Sequence, residues 1–179
     1  MAETVPAQEL AVTIRSYRPM DHVACRDLWT QFVEAHRRLF DDPSLGGDDP
    51  GAEFEDYLTR LNLSGMWVAD HPEDGVVGFV GLLLSEQPGT AEVRPLIVDE
   101  RYRRRGIGRA LIHRVAEEAR NRPLRTLTIS PAARNVEAIR SLHAAGYTAL
   151  ASLTLALDIR GQSRKWRDGI DVHGLRFSY

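Results

Sequence analysis

PLIVDERYRRRGIGRALI, from Pro95 to Ile112, is the stretch of sequence that decides the fold. Its first residues, Pro95 to Val98, end an apolar run that predicts a strand, and its last residues open an amphipathic pattern that predicts a helix. Between them lies a loop rich in arginine and glycine, from Asp99 to Gly108. This immediate succession of strand, loop and helix is typical of domains that combine helices with one sheet.

The chemistry of this loop predicts an anion site. Backbone N–H groups in a tight turn point into one concavity, and a helix start adds unpaired N–H groups and the positive end of its dipole. Gly106 and Gly108 let the backbone approach a ligand without a Cβ atom. Positive charge is added by Arg103, Arg104, Arg105 and Arg109. A pyrophosphate fits such a site, although a solvated surface loop has the same composition.

Two established nucleotide-binding motifs are absent from the sequence. It contains no G-x-x-x-x-G-K-[ST] segment and no G-x-G-x-x-G that opens a βαβ unit near the N-terminus. We therefore expect the anion to be bound in neither a P-loop nor a Rossmann manner.

Apolar and turn patterns place the other elements around this segment. Strands are predicted at Val12–Arg18, Met66–Ala69, Val76–Leu84, Glu92–Val98, Leu124–Ser130 and Leu153–Ile159. Helices are predicted after Asp21, from Glu53 to Leu61, over Gly106–Asn121 and over Asn135–Ala145. This order predicts one mixed α/β domain over residues 12–159, with a loose N-terminus, 1–11, and an ambiguous tail, 160–179.

Some residues make these predictions more specific. Pro95 inside a strand argues for a local break in the ladder, and Asp21 can cap the helix that follows it. The apolar face of that helix is predicted to hold Ala24, Leu28, Phe32 and Leu39. The helix from Gly106 is predicted to bury Ile107, Leu111, Ile112, Val115 and Ala119. Gly146 can supply a left-handed cap to the helix before it.

Composition limits the class of protein. The chain has 179 residues, enough for one well-buried core, and a formal net charge of −2, which argues against a bulk nucleic-acid binder. Its single cysteine, Cys25, allows no internal disulfide, and its expected role is packing in a helix. The histidines show no metal-ligand spacing. Without a long apolar run or a signal-peptide pattern, we expect a cytoplasmic protein that binds no membrane.

Two motifs together resemble the GNAT acetyltransferases. R-x-x-G-x-G, from Arg103 to Gly108, is similar to the acetyl-CoA motif of that family. RNVEAIRSLHAAGY, from Arg134 to Tyr147, resembles the segment in which an Asn opens a helix that ends in Gly-aromatic. The resemblance covers most of Val12 to Ile159. It implies a single mixed, mostly antiparallel central sheet, flanked by helices and splayed between its middle strands, and acetyl transfer from acetyl-CoA to an amine.

The resemblance also implies roles for individual residues. The strand Leu96, Ile97 and Val98 would border acetyl-CoA, and the backbone at Leu96 and Val98 would pair with pantetheine. The pyrophosphate would be held by the loop Arg103, Arg104, Arg105, Gly106, Ile107 and Gly108, with Arg109 beside it. Asn135 would hydrogen-bond the cofactor or serve as a plain helix N-cap. Glu92, in the phrase Ala91-Glu92-Val93, would be the general base, unless it is a solvent-facing edge residue.

The sequence departs from the family at Leu142, where many GNAT enzymes carry a Tyr that protonates the leaving thiolate. The adjacent His143 points in a different direction on a helix. On the side where the resemblance places the acceptor, the segment from Asp41 to Asp56 carries seven acidic residues and no Lys or Arg. Such a rim favours a cationic amine, either a small molecule or an amine of a protein, although a solvated acidic loop has the same composition.

Three functions stay open at this point. An N-acetyltransferase is favoured, and a non-catalytic acyl-CoA-binding or sensing module is kept open by Leu142. A loop for nucleotides or nucleic acid is opposed by the near-neutral charge. The apolar residues of the tail, 160–179, can cap the sheet edge or join a partner, so that a homodimer is compatible with the sequence.

Overall fold

The structure, a computed structural model, describes residues 12–60, 65–157, 159, 166 and 169–178. Its helices are α1 (His22–Phe40), α2 (Ala52–Arg60), α3 (Ile107–Arg120) and α4 (Val136–Ala144). Its strands are β1 (Thr13–Ser16), β2 (Met66–His71), β3 (Gly75–Leu84), β4 (Thr90–Val98), β5 (Thr126–Thr128), β6 (Ile170–Val172) and β7 (Leu175–Phe177). Short 3₁₀ turns precede α1 at Pro19–Asp21 and follow β4 at Glu100–Tyr102.

The central sheet has the order β1-β2-β3-β4-β5. β1 to β4 pair antiparallel, and β5 runs parallel to β4. The predicted mixed, mostly antiparallel sheet flanked by helices is therefore confirmed. β6 and β7 pair with each other in a separate hairpin. In the residues described, no helix is long and apolar enough to cross a membrane.

A β-bulge interrupts the middle of this sheet. The register between β3 and β4 shifts between Val80 and Leu82, so that Gly81 faces two residues, Arg94 and Pro95. Pro95 thus lies where ladder pairing is broken, as the sequence predicts. A bulge bends and twists its strand, and here it lies in the second half of β4.

Apolar side chains pack on both faces of the sheet. α3 covers one face, and all five residues predicted for its apolar face are buried: Ile107, Leu111, Ile112, Val115 and Ala119. α1 and α2 cover the other face, where Trp29 packs against the aromatic rings of Phe54, Tyr57 and Phe79. The apolar run of β3 is therefore covered on both sides, which explains why it shows no polar alternation.

The buried face of α1 differs from the prediction. The residues that α1 buries are Cys25, Leu28, Trp29 and Val33. The predicted face residues Ala24, Phe32 and Leu39 are only half-buried. Burial of the large Trp29 ring removes more apolar surface from water than burial of Ala24 would, and the helix is rotated accordingly. The predicted packing role of Cys25 is confirmed, since it is fully buried.

The predicted cap by Asp21 is wrong. Asp21 precedes α1 but makes no side-chain hydrogen bond to it. Its carboxylate accepts hydrogen bonds from the guanidinium of Arg15, at 2.7 and 2.8 Å, and from the backbone N–H of Arg18, at 2.7 Å. A charged, bidentate donor binds a carboxylate more strongly than a helix N–H group does, and the Asp21 carboxylate therefore binds Arg15 and not the start of α1.

The C-terminal part of the chain departs most from the prediction. Of the predicted strand Leu153–Ile159, residues 153–157 form no strand and residue 159 lies in a bend. β5 is shorter than predicted and ends at Thr128. A strand persists only where a neighbour satisfies its backbone groups, and residues 153–157 have no paired neighbour among the described residues. The predicted loose N-terminus, 1–11, and residues 160–165 lie outside the described residues.

Candidate active site

A cavity of about 470 Å³ opens where β4 and β5 separate. The two strands pair in parallel from Thr90 to Glu92 on β4, and the ladder then ends. β4 continues through the bulge to Val98, while the chain after β5 turns into the loop that leads to α4. The splay that the resemblance implies is therefore present, and β4, this loop and the starts of α3 and α4 line it.

Folding brings several predicted site residues to this cavity. Those that line it are Glu92, Leu96, Gly108 and Asn135. Ile97 is buried against α1 and α2 on the opposite face of β4, because neighbouring residues of a strand point to opposite sides. The side chain of Ile97 therefore does not reach the cavity, and its predicted role beside the cofactor stays a prediction. Val98 packs half-buried against the core under α3.

The loop before α3 carries a run of unpaired backbone donors. Within the described residues, the N–H groups from Arg104 to Arg109 donate no hydrogen bond. Arg104 and Gly106 have left-handed φ values of 62° and 82°, and such residues curve the backbone so that successive N–H groups converge. α3 begins at Ile107, so the positive end of its helix dipole lies at this loop. The Ile107 side chain is buried. The loop thus has the donor set of a phosphate site.

The arginine side chains of this loop are exposed to solvent. Arg103 donates from Nε to the carbonyl oxygen of Val98 at 3.2 Å, and Arg105 lies 5.0 Å from the ring centroid of Tyr102. Arg104 and Arg109 make no hydrogen bond or ion pair with any residue that the structure describes. Two positive charges therefore remain available to an anion near the unpaired backbone donors.

Asp99 fixes this loop to the end of β4 and to α1. Its buried carboxylate accepts hydrogen bonds from the backbone N–H of Arg101 at 2.9 Å and from Nε2 of Gln31 at 3.3 Å. Burial acts to raise the pKa of Asp99, but the hydrogen bonds from Arg101 and Gln31 outweigh it and the pKa is lowered. The carboxylate is therefore ionised at neutral pH and holds the loop against α1.

Gly108 is not required by the packing of the protein. A Cβ atom added there would have one neighbour within 4 Å, Cγ2 of Val98 at 3.8 Å, which is an ordinary contact. Alanine stabilises a helix by about 1 kcal/mol relative to glycine. Nothing in the protein itself therefore favours glycine at position 108, whereas close approach of a ligand to the backbone does.

Asn135 begins α4 at the edge of the cavity. Its side-chain oxygen accepts a hydrogen bond from the backbone N–H of Ala138 at 3.1 Å, so the predicted N-cap is present. This cap uses only the oxygen of the side chain. The amide NH₂ group is left for a ligand, so the capping and ligand-binding roles are compatible.

Glu92 lies on β4 where the ladder to β5 ends. Its side chain is half-buried in the cavity wall and makes no hydrogen bond or ion pair within the described part of the chain. A carboxylate in a cavity without a protein partner is available to accept a proton from a bound amine.

α1 and α2 form a wall of the cavity that the sequence analysis missed. Trp29, Phe32 and His36 line it from α1, and Glu53 lines it from the first turn of α2. The Nδ1–H of His36 donates to the carbonyl oxygen of Phe32 at 2.9 Å, which fixes the orientation of this ring in the cavity wall. The spacing of Trp29, Phe32 and His36 places them on one side of a helix. This helical spacing could have predicted that the three residues lie together, but it could not show that their side of α1 faces a cavity.

Most of the acidic stretch assigned to the acceptor side does not reach the cavity. Arg26 of α1 pairs with Asp49 at 2.5 Å and with Glu55 at 3.2 Å. Of the seven acidic residues between Asp41 and Asp56, Glu53 alone lines the cavity. Glu53 is therefore the residue of this segment that adds negative charge to the cavity wall, and Arg26 offsets the charges of Asp49 and Glu55 outside it.

Comparison with known proteins identifies the family. Residues 25–147 match the family described as Acetyltransferase (GNAT) family. This chain belongs to the GNAT acetyltransferases. No curated protein matches its sequence closely enough to count as a relative.

Solved structures with the same fold include several acetyltransferases. A mutant of the BH1408 protein from Bacillus halodurans aligns with a TM-score of 0.67 at 19% identity, over 82% of this chain and 99% of that one. AAC(6')-Iy, in complex with the bisubstrate analog CoA-S-monomethyl-acetylneamine, aligns with a TM-score of 0.60 at 17% identity, over 82% and 97%. Glucosamine-6-phosphate N-acetyltransferase from Arabidopsis thaliana aligns with a TM-score of 0.58 at 10% identity, over 83% and 98%. At these identities the likeness shows the fold alone.

Leu142 distinguishes this GNAT protein at the position where the resemblance implies a Tyr. Leu142 lines the cavity from α4 and is buried. An aliphatic side chain has no proton to donate. The adjacent His143 is exposed and does not line the cavity, as expected for a neighbour on a helix. Ser141, whose hydroxyl is weakly acidic, does line it.

Proposed function

We propose that this protein is an N-acetyltransferase that moves an acetyl group from acetyl-CoA to a cationic amine. One observation carries the proposal: a single cavity is lined both by Glu92, whose carboxylate has no partner among the described residues, and by Gly108, the one residue of the donor loop before α3 that reaches it. The first feature suits deprotonation of an amine, and the second suits a pyrophosphate. Membership of the GNAT family supplies the class of reaction.

The residues around the cavity fit acetyl-CoA. The N–H groups from Arg104 to Arg109 would hold the pyrophosphate, and the guanidinium groups of Arg104 and Arg109 would add charge. Gly108 would leave room for the phosphates, and the free amide NH₂ of Asn135 would bind the cofactor. The strand from Leu96 to Val98 would border the pantetheine arm past the bulge, where β5 no longer covers it.

The chemistry is a direct transfer between two substrates in the cavity. The amine, once its proton has passed to the carboxylate of Glu92, attacks the carbonyl carbon of the thioester. A C–N bond forms, the C–S bond breaks, and coenzyme A leaves as a thiolate. A backbone N–H near Val98 would stabilise the developing negative charge on the carbonyl oxygen, an effect worth about 10²–10³ in rate in other enzymes.

The leaving thiolate takes its proton from water in this proposal. Leu142 cannot donate one, and the hydroxyl of Ser141 is a weak acid. A thiolate is a stable leaving group at neutral pH compared with an amine or an alkoxide, so the step does not need a strong acid beside the sulfur.

The wall formed by α1 and α2 supports a cationic acceptor. Glu53 makes no hydrogen bond or ion pair within the described residues, and its carboxylate shares the cavity with that of Glu92. The rings of Trp29 and Phe32 beside them offer apolar faces that also attract cations. An amine with an apolar carbon stem and a positive charge fits these surroundings.

An acetyl-CoA binding test and an amine panel test the proposal. Acetyl-CoA should raise the melting temperature of the protein by mass action. Small diamines, amino sugars and peptides with free amines, added one at a time, should then release free coenzyme A in proportion to the amine. Absence of any thermal stabilisation would remove acetyl-CoA from the proposal.

One alternative has an observation in its favour. Because Leu142 replaces a proton donor in the cavity wall, a non-catalytic acyl-CoA-binding or sensing module also suits this site. It predicts stabilisation by acetyl-CoA with no release of coenzyme A for any amine. Release of coenzyme A by the wild-type protein with any amine separates the two functions, and a slower release by Glu92→Gln would assign the turnover to this cavity.

A further inference from the structure

The cavity wall holds a positive charge that the proposed reaction does not use. Arg94 of β4 lines the cavity and is exposed. Within the described residues its guanidinium makes no hydrogen bond or ion pair. Arg15 and Arg26, in contrast, each pair with two carboxylates of the protein. The guanidinium of Arg94 is therefore available to a molecule bound in the cavity.

Arg94 and Glu92 face the same part of this cavity. The side chain of Val93, which lies between them, is buried in the core beneath α3. Since successive residues of a strand point to opposite sides, Glu92 and Arg94 point toward the side that α1 and α2 cover. Burial raises the pKa of the Tyr57 hydroxyl in α2, and the charge of Arg94 acts against this increase. The charge of Arg94 thus acts on the α2 side of the sheet.

This side of the cavity carries two carboxylates and one guanidinium. Glu92, Glu53 and Arg94 all line it, and no ion pair joins any two of them. Each of the three groups is therefore left without a counter-charge within the described part of the chain. Charges of both signs that line one cavity without pairing are complementary to a molecule that also carries both signs.

We propose that the amine acceptor also carries a carboxylate, which the guanidinium of Arg94 binds while the amine lies at Glu92. This inference rests on the proposed N-acetyltransferase function and names its substrate class. A planar guanidinium donates two parallel hydrogen bonds to a carboxylate. The double charge of a phosphate would instead be repelled by the carboxylates of Glu92 and Glu53. A basic amino acid satisfies all three groups, since its second amine meets Glu53.

Pairs of amines that differ only in a carboxylate test the proposal. Cadaverine is lysine without its carboxylate, and putrescine is ornithine without its own. Isothermal titration calorimetry with saturating coenzyme A measures the binding of each to the full chain. In at least one pair the amino acid should bind about tenfold more tightly, the effect of a hydrogen bond to a charged group. Equal binding within both pairs, or no binding of any of the four, would overturn the proposal.

The Arg94→Gln variant assigns the preference to this side chain. In this variant the ratio of the two affinities should fall to about one. Arg125→Gln makes the same change of charge at an exposed side chain outside the cavity, and should leave the ratio as in wild type. Loss of the preference in both variants would contradict a direct contact. Loss of the thermal stabilisation by acetyl-CoA in Arg94→Gln would assign the guanidinium to the cofactor and overturn the proposal.

A second pair of probes distinguishes a carboxylate from a phosphate. β-Alanine and O-phosphoethanolamine both carry an amine on a two-carbon stem, and they differ in the anionic group. β-Alanine should bind more tightly, because its anionic group carries a single charge. Tighter binding of O-phosphoethanolamine would contradict the substrate class.

Release of coenzyme A separates this inference from the proposed function. Turnover of lysine and cadaverine with equal KM values would retain the acetyltransferase and overturn the carboxylate contact. Preferential binding of lysine without any release of coenzyme A would retain a carboxylate site at Arg94 and overturn acetyl transfer to it.

Discussion

The carbonyl oxygen of Arg94 lies 2.6 Å from the position that a Cβ atom on Gly81 would occupy. This contact crosses the bulge between β3 and β4, where Gly81 faces both Arg94 and Pro95. The bulge follows the last residue of β4 that pairs with β5, and the cavity opens beside it. Gly81 of β3 therefore leaves room for the bulge of β4, beside the point where β4 separates from β5.

Gly81→Ala should destabilise the protein by about 2–3 kcal/mol, since the added methyl group would overlap the buried Tyr57 side chain and press on the carbonyl oxygen of Arg94. The activity should also fall, because a shift of β4 misplaces the cavity wall. Urea denaturation and CoA-release kinetics measure the two effects. Gly108→Ala is the matched control for stability, because the methyl group there meets only Cγ2 of Val98 at 3.8 Å. Equal stability of wild type and Gly81→Ala would contradict the close packing of Tyr57 and Arg94 around Gly81.

Gly108 is expected to lower the stability of the protein and to favour the binding of acetyl-CoA. Gly108→Ala should raise the free energy of unfolding by about 1 kcal/mol through helix propensity, and yet weaken stabilisation by acetyl-CoA. Gly108→Glu should abolish that stabilisation, since its carboxylate enters the phosphate path. Thermal melting with and without acetyl-CoA measures both variants. An undiminished shift in Gly108→Glu would move the pyrophosphate away from this loop.

Glu92→Gln should lower kcat/KM by about 10²–10⁴ if its carboxylate accepts the proton of the amine. The melting temperature should change little, because Glu92 makes no hydrogen bond or ion pair in the described part of the chain. The shift produced by acetyl-CoA should also persist. Steady-state kinetics at saturating acetyl-CoA measures the loss, and an unchanged rate would leave water or another group as the base.

Glu53 is expected to select cationic acceptors. Glu53→Gln should raise KM about threefold to fivefold for an amine with a second positive charge, the effect of one exposed ion pair, with kcat unchanged. The KM for an amine without a second charged group should not change. Glu55→Gln makes the same change of charge on the same helix, but its carboxylate pairs with Arg26 outside the cavity. If both variants behave alike, long-range charge rather than contact sets the selectivity.

Asp21 should make the stability of the protein depend on acid pH. Hydrogen bonding from Arg15 lowers the pKa of this buried carboxyl group, against the opposing effect of burial. A lowered folded-state pKa means that the stabilisation is complete above the unfolded value of about 4 and is lost as the pH falls through the folded value.

The Asp21→Asn variant tests this dependence. It should lose roughly 3 kcal/mol at pH 7, as when one partner of a buried ion pair is removed, and the difference from wild type should shrink at acid pH. Asp70→Asn removes the other carboxylate bound to Arg15, which is one-third exposed, and should lose less than about 1 kcal/mol. Urea denaturation at neutral and acid pH gives both values, and a loss that is independent of pH would contradict the assignment.

Local patterns were sufficient to predict most elements. The sheet strands up to β4 and all four helices lie within a few residues of their predicted places. All five apolar residues predicted for α3 are buried, because a helix between a loop and a sheet has one face to bury. The prediction for α1 was less accurate, since Ala24 and Trp29 both suit an apolar face and only packing against Phe79 chooses between them.

The site was predicted only where its residues belong to local sequence motifs. Glu92, Gly108 and Asn135 could be named because each belongs to a motif of short range, and the structure brings them to one cavity. The wall of Trp29 and His36 could not be named, since no motif marks it. Which of the acidic residues would line the cavity could not be predicted, because Arg26, from another helix, binds two of them outside it.

The sequence by itself determined the turn after Val98, with its glycines, arginines and helix start, the cap by Asn135 and the apolar face of α3. The tertiary structure alone decided which charges meet and which side of α1 faces the cavity. The physical reason is the distance along the chain over which partners are found. A turn or the cap by Asn135 is satisfied within one short segment, whereas ion pairs and cavity walls need residues that only folding brings into contact.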